Sequence, residues 1–230
     1  MTALVLLPGM DGTGTLFADL VAELPQALRP VVVAYPADLP LGYPDLVRFV
    51  RERLPHDEPF ILLGESFSGP VAVALAAARP AGLAGLILCC TFVRNPQPRL
   101  ASLRPLISLM QFPLWGLTLA APLLLGSRRD SSVTVALRRA LAAVQARVWR
   151  VRLQAILTVD VSKALTDIGV PILYIQAAGD RLVPPAAAQH IAAVAPSMEV
   201  VRIDGPHLLL QTRPHEAAAT ISDFVRRRCV

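Results

Sequence analysis

Short apolar runs alternate along this chain with segments in which apolar residues recur every three or four positions. This alternation is typical of βαβ units and predicts a parallel sheet flanked by helices. The pattern predicts six strands, at residues 4–7, 31–34, 60–63, 86–90, 172–176 and 200–203. It predicts helices at about 15–24, 43–54, 67–79, 185–195 and 214–228. Since the chain has 230 residues, we expect one α/β domain.

One interval is several times longer than an ordinary connection between elements. About 80 residues separate the run that ends near Cys90 from the run that starts near Ile172. We therefore expect a helical cap at residues 93–160, inserted between core segments 1–92 and 161–230.

Residues 105–127, within this expected cap, carry no charge and are long enough to span a membrane. Because Pro113 and Pro122 would interrupt such a helix, we interpret the segment as two short helices. The first eight residues lack the basic segment of a signal peptide, and the three cysteines show no metal-ligand spacing. We expect a cytoplasmic protein without a metal site or structural disulfides.

The basic residues are concentrated in the expected cap. Between Arg94 and Val159 there are ten arginines and one acid, Asp130, in a chain whose formal net charge is +5. No run of five basic residues occurs and aromatic residues make up 5% of the chain, so no nucleic-acid partner is predicted. The arginines could meet an anionic leaving group or, transiently, a lipid surface; a solvated helix face is the simpler interpretation.

Polar residues follow the ends of four predicted strands. The first strand leads into a glycine-rich turn at 8–14, and the third leads into "GESFSG" around Ser66. Asp180 follows the fifth strand and His207 follows the sixth. Because ligands bind at the carboxyl ends of strands in open parallel sheets, we expect these three side chains at one edge of the sheet.

With serine, aspartate and histidine in this chain order, the sequence resembles the α/β-hydrolase superfamily over essentially its whole length. The resemblance implies an α/β-hydrolase fold with a helical cap. It implies a short version of about six parallel strands, since no hairpin precedes the first strand. "LPGMDGTG" together with "GESFSG" is also similar to hydrolase-like acyltransferases that make phytyl and related fatty esters in plastids.

The expected catalytic residues have distinct roles. Ser66 is the predicted nucleophile and needs a base to take its proton. His207 is that base, and Asp180 orients the imidazole. The resemblance implies that the backbone N–H groups of Met10 and Phe67 form the oxyanion hole.

The turn around Ser66 departs from G-x-S-x-G in its fifth position, where this chain has Ser68. Serine is the next smallest side chain, and Gly64 and Gly69 retain the tightest positions. We interpret Ser68 as a tolerated substitution, which predicts a nearly neutral effect of Ser68→Gly.

The cap supplies apolar candidates for the substrate pocket, namely Met110, Phe112, Trp115 and Trp149. They favour an ester with a short to medium apolar acyl chain, hydrolysed without a cofactor through an acyl-enzyme on Ser66. Acyl transfer or thioester hydrolysis by the same residues stays open, as does a non-catalytic ligand-binding protein. The sequence does not predict an oligomeric state.

Overall fold

Six parallel strands form one sheet in the computed structural model, which describes residues 1–98, 121–126 and 131–229. The order across the sheet is β2-β1-β3-β4-β5-β6. The strands are β1 (Thr2–Leu7), β2 (Leu28–Val32), β3 (Phe60–Glu65), β4 (Leu83–Cys89), β5 (Ile172–Ala177) and β6 (Glu199–Ile203). The structure confirms the predicted parallel sheet.

Helices cover both faces of the sheet. The described helices are α1 (Ala18–Glu23), α2 (Tyr43–Arg51), α3 (Gly69–Ala77), α4 (Ala121–Leu125), α5 (Ser131–Ala142), α6 (Ala146–Thr158), α7 (Pro185–Val194), α8 (Leu209–Thr212) and α9 (Pro214–Arg228). Helices α2, α3 and α7 pack on one face, and α1, α8 and α9 pack on the other. Successive side chains of β1 and β3 alternate between these two cores, as the two-residue period of a strand requires.

The position of β2 differs from the prediction. The apolar run suggested residues 31–34, whereas the strand begins at Leu28 and includes Arg29 and Pro30. Because β2 is an edge strand paired only with β1, a proline and a charged side chain are tolerated there. The search for apolar runs therefore placed the start of this edge strand at residue 31 instead of Leu28.

After residue 130, the expected helical cap consists of two helices. α5 ends at Ala142, and α6 begins after Gln145, whose backbone is extended and whose N–H donates to Ala37 O at 3.0 Å. Apolar side chains of α4, α5 and α6 form a third cluster with Leu16 and Leu208 of the core.

The two ends of the long insertion meet. Arg94 and Asp160 form an antiparallel bridge, and Asn95 N donates to Val159 O at 3.0 Å. We propose this junction as the base of a cap at residues 93–160. Most of the uncharged segment 105–127 lies outside the described residues. Within the described ranges, no helix has the length and hydropathy needed to cross a membrane.

Candidate active site

The turn after β3 holds Ser66 in a conformation that few non-glycine residues adopt. Its φ is +48°, in the left-handed region. A Cβ on Gly64 would lie 2.8 Å from both Ala72 Cβ and Ser68 O, and a Cβ on Gly69 would overlap the side chain of Thr91. Only glycine therefore fits beside this turn, and the strained serine projects beyond the end of the strand.

The structure brings Ser66, His207 and Asp180 into one hydrogen-bonded chain. Ser66 Oγ lies 2.8 Å from His207 Nε2, and His207 Nδ1 lies 2.8 Å from Asp180 Oδ2. The side chains of His207 and Asp180 are 3% and 5% exposed. With Nδ1–H donating to the carboxylate, Nε2 is an acceptor for the Ser66 hydroxyl.

Asp180 is itself held by backbone groups. Its Oδ1 accepts hydrogen bonds from the N–H groups of Leu182 and Val183, both at 2.9 Å, so that only Oδ2 faces the imidazole. The turn after β5 thus sets which carboxylate oxygen meets His207.

The turn after β1 lies beside Ser66 and has every carbonyl engaged. Pro8 O accepts from Ser68 Oγ, and Gly9 O accepts from the N–H of Gly12 at 3.0 Å. Gly12 O accepts from the N–H of Tyr35 at 2.7 Å. The two intervening carbonyls accept from Arg152. We call Pro8–Gly12 the oxyanion loop, after its expected role.

Within the described ranges, the two N–H groups expected to bind the oxyanion have no hydrogen-bond partner. Among the hydrogen bonds that join described residues, none uses the N–H of Met10 or of Phe67. Phe67 lies in the first turn of the 3-10 segment Ser66–Ser68, where N–H groups have no partner within the helix. As far as the described residues are concerned, both donors are therefore available to a ligand.

Ser68 does more than fit the space of a glycine. Its hydroxyl is wholly buried, donates to Pro8 O, and lies 2.6 Å from the Tyr35 hydroxyl. The prediction of a nearly neutral Ser68→Gly substitution considered only the size of the side chain and not these hydrogen bonds. Glycine would be small enough, but it would leave two buried polar groups without this partner.

We expect Ser68→Ala to lower the free energy of unfolding by about 1–3 kcal/mol, because it leaves Pro8 O and the Tyr35 hydroxyl unsatisfied. Ser68→Gly should cost at least as much. Urea unfolding measures the change. Tyr35→Phe is the matched control, which removes one hydroxyl and leaves the Ser68–Pro8 bond intact. Wild-type stability of Ser68→Ala would contradict this account.

Glu65 is buried directly before the serine. Its Oε1 accepts a hydrogen bond from Gln211 Nε2 at 3.0 Å, and its carboxyl group lies near the backbone of Gly9. Burial raises the pKa of Glu65 to about 7, an effect that the hydrogen bond from Gln211 only partly offsets. This carboxyl group therefore lies between the segment after His207 and the oxyanion loop.

The raised pKa of Glu65 predicts that stability falls as pH rises. The unfolded chain loses this proton near the ordinary pKa of 4.5, whereas the folded protein keeps it to about pH 7. The contribution of Glu65 to the free energy of unfolding is therefore fully present below pH 4.5 and is lost by about pH 7. Across this pH range, Glu65 should lower the free energy of unfolding of the wild type by on the order of 3 kcal/mol. In Glu65→Gln this decrease should be absent.

Urea unfolding of wild type and Glu65→Gln at pH 4.5 and pH 7.5 measures this effect. The exposed Glu52→Gln is the control, and it should keep the wild-type pH dependence. An unchanged pH dependence in Glu65→Gln would show that Glu65 is ionised throughout.

Of the four predicted pocket residues, only Trp149 lies among the described residues. Met110, Phe112 and Trp115 lie outside the described residues. Trp149 is 2% exposed and packs in the apolar cluster that joins α5 and α6 to Leu208, next to His207. Its role in binding substrate stays a prediction.

Tyr35 and Arg152 contact the oxyanion loop, but the sequence did not predict a role for either of them. Arg152 did leave a signal, because it lies four residues after the buried Val148 and so on the buried face of α6. Among the described residues, no three His, Cys, Asp or Glu side chains are placed to hold a metal ion.

The parallel sheet, the strained serine turn and the three side chains beyond its carboxyl edge define an α/β-hydrolase fold. The sequence profile of the Alpha/beta hydrolase family matches residues 4–220, and the chain belongs to that family.

Similar proteins include the pimeloyl-[acyl-carrier protein] methyl ester esterases of Aromatoleum aromaticum and Xylella fastidiosa. The first is 29% identical over 97% of this chain and 98% of the relative, and the second is 28% identical over 97% and 94%.

Among solved structures, the enol-lactonase from Burkholderia xenovorans superposes with a TM-score of 0.86 at 20% identity, over 98% of this chain and 92% of that chain. An esterase from Thermogutta terrifontis superposes with a TM-score of 0.86 at 22% identity, over 100% and 91%. These structures share the fold.

Proposed function

We propose that this protein hydrolyses carboxylic esters through an acyl-enzyme on Ser66. The observation that carries the proposal is the continuous hydrogen-bonded chain from Ser66 Oγ through His207 to Asp180, with 2.8 Å at each step. A serine hydroxyl becomes nucleophilic only when a base accepts its proton, and His207 Nε2 is placed to do so.

In the first half of the reaction, Ser66 Oγ attacks the ester carbonyl carbon while its proton passes to His207 Nε2. The carbonyl oxygen becomes an oxyanion, which accepts hydrogen bonds from the N–H groups of Met10 and Phe67. The carbon–oxygen bond to the alcohol then breaks, and His207 returns the proton to the leaving alkoxide. Asp180 stays ionised and stabilises the transient imidazolium.

In the second half, water replaces the alcohol. The water oxygen attacks the acyl carbon while His207 takes a proton from the water. The tetrahedral oxyanion accepts hydrogen bonds from the same two N–H groups. Collapse breaks the bond to Ser66 Oγ, which regains its proton from His207. The products are a carboxylic acid and the free enzyme.

The cap favours an apolar acyl group joined to an anionic or acidic carrier. The described helices α5 and α6 have no Asp or Glu, and they carry the exposed Arg138, Arg139 and Arg147. The relatives are named as methyl ester esterases of a pimeloyl group on acyl-carrier protein. We propose a similar substrate class here, a short to medium acyl ester whose acyl chain is held by an acidic carrier.

A substrate panel tests the proposal. The panel contains p-nitrophenyl esters from C2 to C12, and methyl esters of dicarboxylic acyl chains either free or attached to acyl-carrier protein. We expect hydrolysis of the p-nitrophenyl esters with an optimum in the short to medium range, and preference for the carrier-bound methyl ester that weakens with added salt. No turnover of any ester would overturn the proposal. Product esters formed only with an added alcohol would assign acyl transfer instead.

A further inference from the structure

Arg152 is a wholly buried arginine whose side chain reaches from the cap helix α6 to the oxyanion loop. Its Nη1 donates to Met10 O at 2.9 Å and to Asp11 O at 2.8 Å, and its Nη2 donates to Pro36 O at 3.1 Å. These hydrogen bonds run to peptide carbonyls rather than to a carboxylate. Burial lowers the pKa of Arg152, although the nearby Asp11 carboxylate partly opposes this.

The oxyanion loop is shaped to receive the guanidinium group. Gly12 has a φ of +73°, and a Cβ there would lie 2.6 Å from Arg152 Nη1. The ring of Tyr35 lies 5.7 Å from Arg152 Cζ, and the N–H of Tyr35 holds Gly12 O. The close contact therefore needs both a glycine in the left-handed region and a planar cation that fits between loop and ring.

These contacts fix the direction of the Met10 N–H. Within one trans peptide the C=O and N–H point in opposite directions, so Gly12, by holding Gly9 O, aims the Met10 N–H the other way. Arg152 holds the next peptide through Met10 O, which fixes the backbone on the other side of the Met10 Cα. The peptide that carries the donor is thus restrained from both sides.

We propose that Arg152 is a positioning residue that holds the Met10 N–H where the oxyanion forms. This inference rests on the proposed function. A preset donor contributes most to catalysis because it does not have to reorganise during the reaction. A displacement of about 1 Å can reduce the rate about 10²-fold. The cap would therefore complete the oxyanion hole in addition to covering the substrate.

The proposal is tested by Arg152→Lys and Arg152→Met, with p-nitrophenyl acetate as a substrate too small to depend on the cap for binding. We expect kcat to fall roughly 10- to 100-fold in Arg152→Met and less in Arg152→Lys, with KM changed by less than about threefold. An alkylboronic acid forms a tetrahedral adduct on the serine, and its affinity should fall by the same factor as kcat/KM.

Arg79→Met is the matched control, because Arg79 Nε also holds a backbone carbonyl, that of Asp167, on the exposed surface. It should keep the wild-type kcat. Thermal unfolding identifies the folded variants, and Arg152→Lys keeps the cation and most of the stem. Added guanidinium at millimolar concentration should restore part of the kcat of Arg152→Ala, which a general loss of structure would not allow.

The outcomes separate this inference from the proposed function. Wild-type kcat and boronic-acid affinity in folded Arg152→Lys and Arg152→Met would overturn the inference alone. A kcat loss without loss of boronic-acid affinity, or without rescue of Arg152→Ala by guanidinium, would also overturn it. If wild type hydrolyses no ester, the proposed function itself fails.

Discussion

Ser66→Ala is expected to lower kcat for ester hydrolysis by on the order of 10⁶-fold, the loss seen when the nucleophile of a serine triad is removed. Alanine keeps the backbone turn but has no oxygen to form the acyl-enzyme. The measurement is initial rates on the best p-nitrophenyl ester of the panel, together with labelling by a fluorophosphonate. Wild type should gain the mass of one phosphonyl group on the peptide that contains Ser66, and the variant should gain none.

Ser162→Ala is the matched control for this prediction. Ser162 Oγ also lies 2.8 Å from a histidine nitrogen, Nε2 of His190, so the two serines share their immediate partner type. Ser162, however, lies in the 3-10 segment Ser162–Asp167 that precedes β5, away from the carboxyl ends of the strands. We expect its variant to keep wild-type rates. If activity survives in Ser66→Ala and disappears in Ser162→Ala, the reaction takes place at the opposite end of the sheet from Ser66. That result would contradict the proposed site.

Asp180→Asn is expected to lower kcat by about 10⁴-fold while the fold stays intact. The backbone N–H groups of Leu182 and Val183 hold one oxygen of Asp180, so the asparagine carbonyl oxygen should take that position and turn its NH₂ group toward His207. His207 Nδ1 must then accept a hydrogen bond, and the ring proton moves to Nε2. A histidine that donates from Nε2 cannot take the proton of Ser66.

The control for Asp180→Asn is Asp204→Asn. Asp204 lies three residues before His207 but its side chain is 89% exposed and lies 3.6 Å from Arg213. We expect the Asp204 variant to hydrolyse esters at the wild-type rate. A normal rate in Asp180→Asn, with loss of activity in Asp204→Asn, would show that the acid partner of His207 comes from the segment after β6.

Much of this molecule follows from local pattern. The turn residues after β1, β3, β5 and β6 could be assigned because strands in a parallel sheet place their carboxyl ends along one edge. That rule alone puts Ser66, Asp180 and His207 near each other, although 141 residues separate the serine from the histidine. The prediction placed the edge strand β2 too late in the chain, because its pairing with β1, and not its hydrophobicity, decides where it begins.

By itself the sequence determined the order of strands and helices, the long insertion and the three residues expected to react. It did so because periodicity and turn chemistry act over a few residues. Only the tertiary structure decided what supports the reactive groups. Arg152 reaches Met10 across 142 positions, and Ser68 meets Pro8 across 60. Helical spacing could indicate that Arg152 is buried, but not which groups it contacts. Buried hydrogen-bond partners are decided by how distant segments pack and by which polar groups must be satisfied there.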